Sequence, residues 1–248
     1  MFITKDEEEH LPDALASVSF ADEILVVDSG STDRTLEVAR GFGARVVENV
    51  PWPGFAAQRN VGFEAAHNDL VLFLDADERV SPMLRDEIEA LRASNMPLKA
   101  GYRIPRVANY MGRWIRGTDW YPDWQLRLFD RRRGRCQPAL VHESVKVQGE
   151  VSRLRGEIIH FPYRDISDHV STIDEYTSLW SRQAFEAGLT SSVGEMMGTT
   201  AFAFLRNYVL RGGFRYGRAG LVISVLNSYY TFLKFAKLME RHAGPPVR

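Results

Sequence analysis

Asn68-Asp69-Leu70-Val71-Leu72-Phe73-Leu74-Asp75-Ala76-Asp77 decides how this chain is read. Its apolar run does not alternate, which predicts a strand over residues 68–75 that is covered on both faces, as in a parallel sheet. Glu23-Ile24-Leu25-Val26-Val27-Asp28 has the same character and stops at Ser29-Gly30-Ser31. Between and after these runs the periodicity predicts helices over residues 32–41 and 54–66, with Ser31 or Thr32 capping the first, and a short strand Arg45-Val46-Val47-Glu48. Ser81-Pro82 opens a further helix to about Ser94, with Pro in the first turn. The order β-α-β-α-β implies an α/β fold with a mostly parallel central sheet, where ligands gather beyond the carboxyl ends of strands. Asp28 and Asp75 both fall at such ends.

The pattern changes after residue 100. Short strands over residues 101–104, 126–129 and 144–147 mix with Trp, Tyr, Arg and Gly, predicting a loop-rich or antiparallel half that closes over a ligand. From about Val170 the chain reads as helix, over residues 174–188, 196–209 and 219–241. Arg211-Gly212-Gly213-Phe214-Arg215-Tyr216-Gly217-Arg218 forms a basic, Gly-rich link. The expected organisation is a catalytic domain over residues 1–165, with a donor half to about 100 and an acceptor half beyond it. A helical extension over 166–248 follows.

Composition is that of a globular chain of 248 residues, 45% hydrophobic and 25% charged, which excludes a disordered protein. A net charge of −1 does not point to nucleic acid. Charge is unevenly spread, however. Residues 195–248 carry eight Lys/Arg and two Asp/Glu, a balance of +6 that leaves −7 for the rest. Cys136 is the single cysteine, so no intrachain disulfide forms and a reducing compartment is expected. Charge at Lys5 and Asp6 comes too early for a signal peptide.

Asp75 and Asp77, at i and i+2 just past a strand, can face one Mg2+ or Mn2+ together, because these ions take oxygen ligands and complete their shell with substrate phosphate. A polar turn ending a strand would look the same. Aspartyl-phosphate phosphatases share the pattern, but their pair is earlier in the chain and followed by Thr or Val, whereas Glu78-Arg79 follow here. Asp28 can accept from a base N–H or a ribose hydroxyl, or simply belong to a capped helix start.

Ile3-Thr4-Lys5-Asp6-Glu7-Glu8, residues 26–33, Gln58-Arg59-Asn60-Val61-Gly62 and residues 72–77 resemble, in order and spacing, the family 2 glycosyltransferases with the GT-A fold. Trp124-Gln125-Leu126-Arg127-Leu128-Phe129 and Val141-His142-Glu143 narrow the likeness to enzymes that add hexose to the bacterial lipopolysaccharide inner core. Only Met1-Phe2-Ile3 precede Thr4, where such enzymes have a full apolar strand. The resemblance implies that Thr4 and Glu7 lie near the nucleotide and that Asp28 holds uracil or ribose. Arg59 and Asn60 would sit near the donor, and Asp75 and Asp77 would bind donor and metal. Trp120-Tyr121-Pro122-Asp123 resembles the Trp-x-x-acid segment that presents an acid beside the acceptor, which makes Asp123 the base, with Asp119 and Glu143 as alternatives. His142 is implied as a third metal ligand or a phosphate contact.

The implied reaction is inverting, metal-dependent transfer of a hexose, glucose from UDP-glucose, to a lipid-linked saccharide. A phosphatase-like hydrolase and a non-catalytic membrane scaffold of the same fold are the competing classes. Residues 219–233 carry no charge but are fewer than the roughly 20 needed to span a bilayer. With Arg206, Arg211, Arg215 and Arg218 beside apolar faces, they suit helices lying on an anionic membrane surface. The expected location is cytoplasmic, on the inner face of the cytoplasmic membrane. The competing reading packs these helices on the core or in a homodimer.

Overall fold

The computed structural model describes residues 1–94, 97–137 and 144–243. The chain divides into two compact units, Met1–Val107 with Asp123–Phe161, and Ala108–Pro122 with Pro162–Arg248. The helical unit takes in residues 108–122.

The chain begins with β1 (Phe2–Thr4), α1 (Leu11–Ser17), β2 (Leu25–Asp28), α2 (Thr35–Gly41), β3 (Arg45–Glu48) and α3 (Phe55–Ala65). It continues with β4 (Leu70–Leu72), β5 (Leu74–Asp75), β6 (Glu78–Val80) and α4 (Pro82–Ala93). Then come β7 (Gly101–Tyr110), β8 (Arg113–Ile115), β9 (Asp123–Asp130), β10 (Gly134–Gln137), β11 (Ser144–Val147), β12 (Val151–Arg153) and β13 (Ile158–His160).

A parallel sheet in the order β3-β2-β1-β5 organises the first unit. Both its faces are covered, which is why its strands do not alternate. Phe2, Val26 and Leu74 pack with Leu11, Leu15, Leu84 and Ile88. Ile3, Leu25 and Val27 pack with Ala56 and Phe63. Burying a large side chain of this kind contributes about 1.5–3 kcal/mol. In the register, Thr4 is opposite Asp28 and Asp28 opposite Glu48, so these strand ends are level.

The strand expected over residues 68–75 is two strands. β4 pairs antiparallel with β9, and β5 pairs parallel with β1. Phe73, between them, donates its N–H to Arg127 O at 2.9 Å and buries its ring against Phe63 and Phe129, with centroids at 5.4 and 6.0 Å. β4 thereby joins a second, largely antiparallel sheet in the order β4-β9-β7-β13-β6. Ser31 does not cap α2; its hydroxyl donates to Asp28, and the helix starts only at Thr35, whose N–H donates to Asp33 Oδ1 at 2.9 Å. α4 follows expectation, with Ser81 Oγ accepting from Leu84 N at 3.2 Å.

The second unit holds α5 (Ile166–Glu186), α6 (Val193–Leu205) and α7 (Gly217–Ala243), with β8 antiparallel to the end of β7. A π-turn over Arg206–Leu210 and a 3-10 turn over Gly213–Tyr216 join α6 to α7. The π-turn places Asn207 inside, where its Nδ2 donates to Asp119 Oδ2 and Ala203 O at 2.8 and 2.9 Å. Among the described residues, no helix is long and apolar enough to cross a membrane.

His169, 2% exposed, bonds through Nδ1 to the Tyr110 hydroxyl at 3.0 Å and stacks on Tyr163 at 4.0 Å. Burial pushes its pKa down from 6.5 to about 4, with Asp168 opposing weakly. The unfolded chain takes up that proton near 6.5 and the folded one only near 4. The stability from neutral His169 is therefore complete above pH 6.5 and is lost as pH falls toward 4, by on the order of 3 kcal/mol. Melting curves should show a steep loss of midpoint over that window, and His169→Phe should flatten it. An equal acid slope in both proteins would refute the assignment.

Candidate active site

Loops after β1 and β2 lie beyond the carboxyl ends of the parallel strands and brace each other. Thr32 N donates to Asp6 Oδ1 at 2.7 Å, Asp6 N to Ser31 Oγ at 2.9 Å and Arg34 N to Glu8 Oε2 at 2.9 Å. Glu7 joins them by donating its N–H to Thr35 Oγ1 at 2.7 Å. Asp28 is fully buried and organises the turn: Thr4 Oγ1 donates to its Oδ1 at 2.9 Å, and the Gly30 and Ser31 amides donate to Oδ2 at 2.8 Å. Gly30 takes φ 85°, a backbone state that favours glycine, to bring its amide round. Thr4 and Asp28 thus hold this turn together, and the open acceptor expected at Asp28 is taken up by its own turn.

Arg59 and Asn60 leave α3 in different directions. Asn60 is spent on β10, donating to Cys136 O and accepting from Cys136 N, both at 2.9 Å, so it holds structure where a donor contact was expected. Arg59 does reach the strand end, donating from Nη2 to Asp75 Oδ1 at 2.8 Å. On the other side Arg127, from β9 and 5% exposed, donates from Nη2 to Asp75 Oδ2 at 2.8 Å. Burial alone would raise the Asp75 pKa, but Arg127 and then Arg59 outweigh it and hold the carboxyl well below the usual range. Asp75 is thus a fixed anion between two guanidiniums, which disfavours direct coordination of a divalent cation.

Asp77 is placed differently. It sits in the turn between β5 and β6, 30% exposed, with Oδ2 3.2 Å from His160 Nε2 at the end of β13. A carboxylate and an imidazole on one accessible corner suit Mg2+ or Mn2+ when diphosphate oxygens and water supply the other ligands. Among the described residues no group of three or more His, Cys, Asp or Glu is set to hold a metal. Asp77 and His160 are thus a pair of possible ligands. His142 and Glu143, suggested as a metal ligand and as an alternative base, lie outside the described residues. The only sequence signal for His160 was its place at the end of the short apolar run Ile158-Ile159.

Asp123 begins β9 in the first unit, 32% exposed. Its Oδ2 accepts from Arg106 Nε and Nη2 at 2.9 and 2.7 Å, and its Oδ1 from Gln125 Nε2 at 2.6 Å. Asp119 belongs to the second unit, where it accepts from Arg206 Nε at 3.0 Å and Asn207 Nδ2 at 2.8 Å and lies 3.7 Å from Arg211 Nε. Asp119 ties β8's neighbourhood to the π-turn, so of the two described candidates Asp123 is the one that shares a unit with Asp75 and Asp77.

A guanidinium-held aspartate and a half-buried Asp-His pair lie at and just past the end of β5, and the comparison with known families says which kind of chain carries them. The model of glycosyl transferase family 2 matches residues 1–143. The chain belongs to that family. Of the classes left open by the sequence, this selects the transferase. The lipopolysaccharide core biosynthesis glycosyltransferase LpsC of Rhizobium meliloti is 29% identical over 97% of this chain and 91% of its own. An uncharacterized glycosyltransferase of Rickettsia typhi is 30% identical over 96% and 85%. Two solved transferases share the fold at low identity. S. aureus TarS 1-349 with UDP-GlcNAc aligns at TM-score 0.51 and 15% identity over 98% of this chain and 90% of that one. The mannosyltransferase PcManGT of Pyrobaculum calidifontis with GDP-Man and Mn2+ aligns at 0.52 and 13% over 99% and 75%. The chain is thus a glycosyltransferase with the GT-A architecture the sequence implied.

Proposed function

We propose that this transferase moves a hexose, glucose from UDP-glucose, onto a lipid-linked saccharide such as the lipopolysaccharide inner core, with inversion and with Mg2+ or Mn2+. The Asp77–His160 corner beside the guanidinium-held Asp75 carries the reading. Asp77 and His160 would hold the metal, which supplies charge neutralisation on the leaving diphosphate. Asp75, fixed by Arg59 and Arg127, is set to accept hydrogen bonds from donor hydroxyls without moving. Asp123 takes the proton of the acceptor hydroxyl as that oxygen bonds to the anomeric carbon and the bond from that carbon to the diphosphate breaks. A panel of nucleotide sugars offered with lipid A-core oligosaccharide, read by mass, tests this. UDP-glucose is expected to add one hexose; no mass gain with any donor would reject the activity, and gain only with another donor would replace glucose.

The helical unit supports docking on an anionic membrane. Met197, Phe202, Leu205, Val209, Leu210 and Phe214 are all about half exposed or more. Arg211, Arg215 and Arg218 follow the same stretch of chain. Apolar side chains ringed by arginines insert at the headgroup boundary, with about 1 kcal/mol from each basic residue near an anionic surface. Vesicles rich in phosphatidylglycerol should carry the protein upward in flotation, and Leu210→Glu with Phe214→Glu should leave it at the bottom. Equal flotation of wild type and the double variant would exclude this face.

A further inference from the structure

Glu78 directly follows the Asp-Ala-Asp turn and is fully buried, yet no assigned step uses it. Its Oε2 accepts from Asp75 N at 3.0 Å. Its Oε1 accepts from two guanidiniums, Arg127 Nη2 at 2.7 Å and Arg106 Nη1 at 2.8 Å. Arg127 passes on to Asp75 and Arg106 passes on to Asp123, each through 2.7–2.9 Å contacts. The result is an alternating row, Arg59–Asp75–Arg127–Glu78–Arg106–Asp123, with Glu78 of β6 joined by its side chain to Arg106 of β7 and Arg127 of β9.

We propose that Glu78 is a positioning residue for the acceptor side: by fixing Arg106 against the strand end that carries Asp75, it sets where the Asp123 carboxylate stands relative to the donor. The physical case rests on burial and valence. A carboxylate removed from water is retained only when paired, and this one spends both oxygens on three donors from two sheets. Burial opposes the charge on Arg106, but Glu78 and then Asp123 more than offset this and keep the guanidinium charged. Its planar fork then presents Nη1 to Glu78 and Nε with Nη2 to Asp123, so turning one contact turns the other. A lysine could pair with either carboxylate but could not transmit direction between them.

This inference rests on Asp123 as the base, and its test separates the two. Glu78→Gln keeps size and one acceptor while removing the charge that draws both arginines together. Its kcat should fall roughly 10–100-fold, the scale of a displacement of about 1 Å at a reacting group, while the UDP-sugar dissociation constant moves less than about threefold. In an Asp123→Asn background the same change should cost nothing further, because Glu78 acts through Asp123. Arg106→Lys reads the route from its other end and should give the same split, which keeps the test open if Glu78→Gln melts. Losses that multiply in the double variant, unchanged kcat in both single variants, or a donor affinity that falls in step with kcat would each overturn the proposal. Full turnover in Asp123→Asn alone would instead reject the base.

Discussion

Asp77→Asn is expected to lower sugar transfer by roughly 10²–10³-fold or more, the loss that follows when one preorganised charge is removed from a developing anion. The fold should survive it, because Asp77 is 30% exposed and its carboxylate meets His160 alone among the described residues, at 3.2 Å. Metal-dependent binding of the nucleoside diphosphate, measured by calorimetry with and without Mn2+, should weaken together with turnover, and His160→Ala should weaken it in the same way. Asp75→Asn provides the contrast. Its carboxylate is the shared partner of Arg59 and of Arg127, which is 5% exposed. Neutralising it weakens the hold on Arg59 and Arg127, although Arg127 keeps Glu78 at 2.7 Å, at a cost of about 1.5–3 kcal/mol. Asp75→Asn should therefore melt earlier, whereas Asp77→Asn should melt like the wild type. Full activity of Asp77→Asn with metal present, or equal melting losses in both variants, would contradict this division of roles.

Asp123→Asn should lower kcat by roughly 10²–10⁴-fold while leaving the affinity for the UDP-sugar in place, because a general base contributes on that scale and does not hold the donor. Arg106 keeps Glu78 as a partner at 2.8 Å in this variant, so the buried charge is not abandoned and the fold should stand. Asp119→Asn tests the neighbouring acid and should act on stability, because Asp119 anchors Arg206 and Asn207 within the helical unit. A kcat loss confined to Glu143→Gln, with Asp123→Asn fully active, would move the base to that residue.

The two predictions differ in how visible their residues were. Asp77 was readable because an apolar strand followed by two acids at i and i+2 is a local pattern. Asp123 came only from a likeness in a four-residue segment, and that segment is divided between the two units after Pro122. His160 lies 83 positions from Asp77 and was not read at all. Glu78 was visible only as a residue that follows the acidic pair, because the bonds giving it meaning come from β7 and β9. Asn60 stood beside Arg59 in one motif, yet the helix turns it toward Cys136 while Arg59 reaches Asp75. Adjacent residues on a helix point about 100° apart, so one motif can serve two purposes.

Local pattern by itself determined the parallel sheet, the helices α3 and α4 and the strand ends at Asp28 and Asp75, because periodicity, capping and unbroken apolar runs are properties of neighbours in sequence. It also singled out Asp75 and Asp77 as candidates for a site. Only the tertiary structure decided how each is held. Two arginines from separate elements close on Asp75, whereas the turn leaves Asp77 open beside His160. The same structure broke the expected strand at Phe73, because residues on either side pair with different sheets. Charge pairing and sheet exchange act between residues tens of positions apart, and no local rule reports which guanidinium will meet which carboxylate.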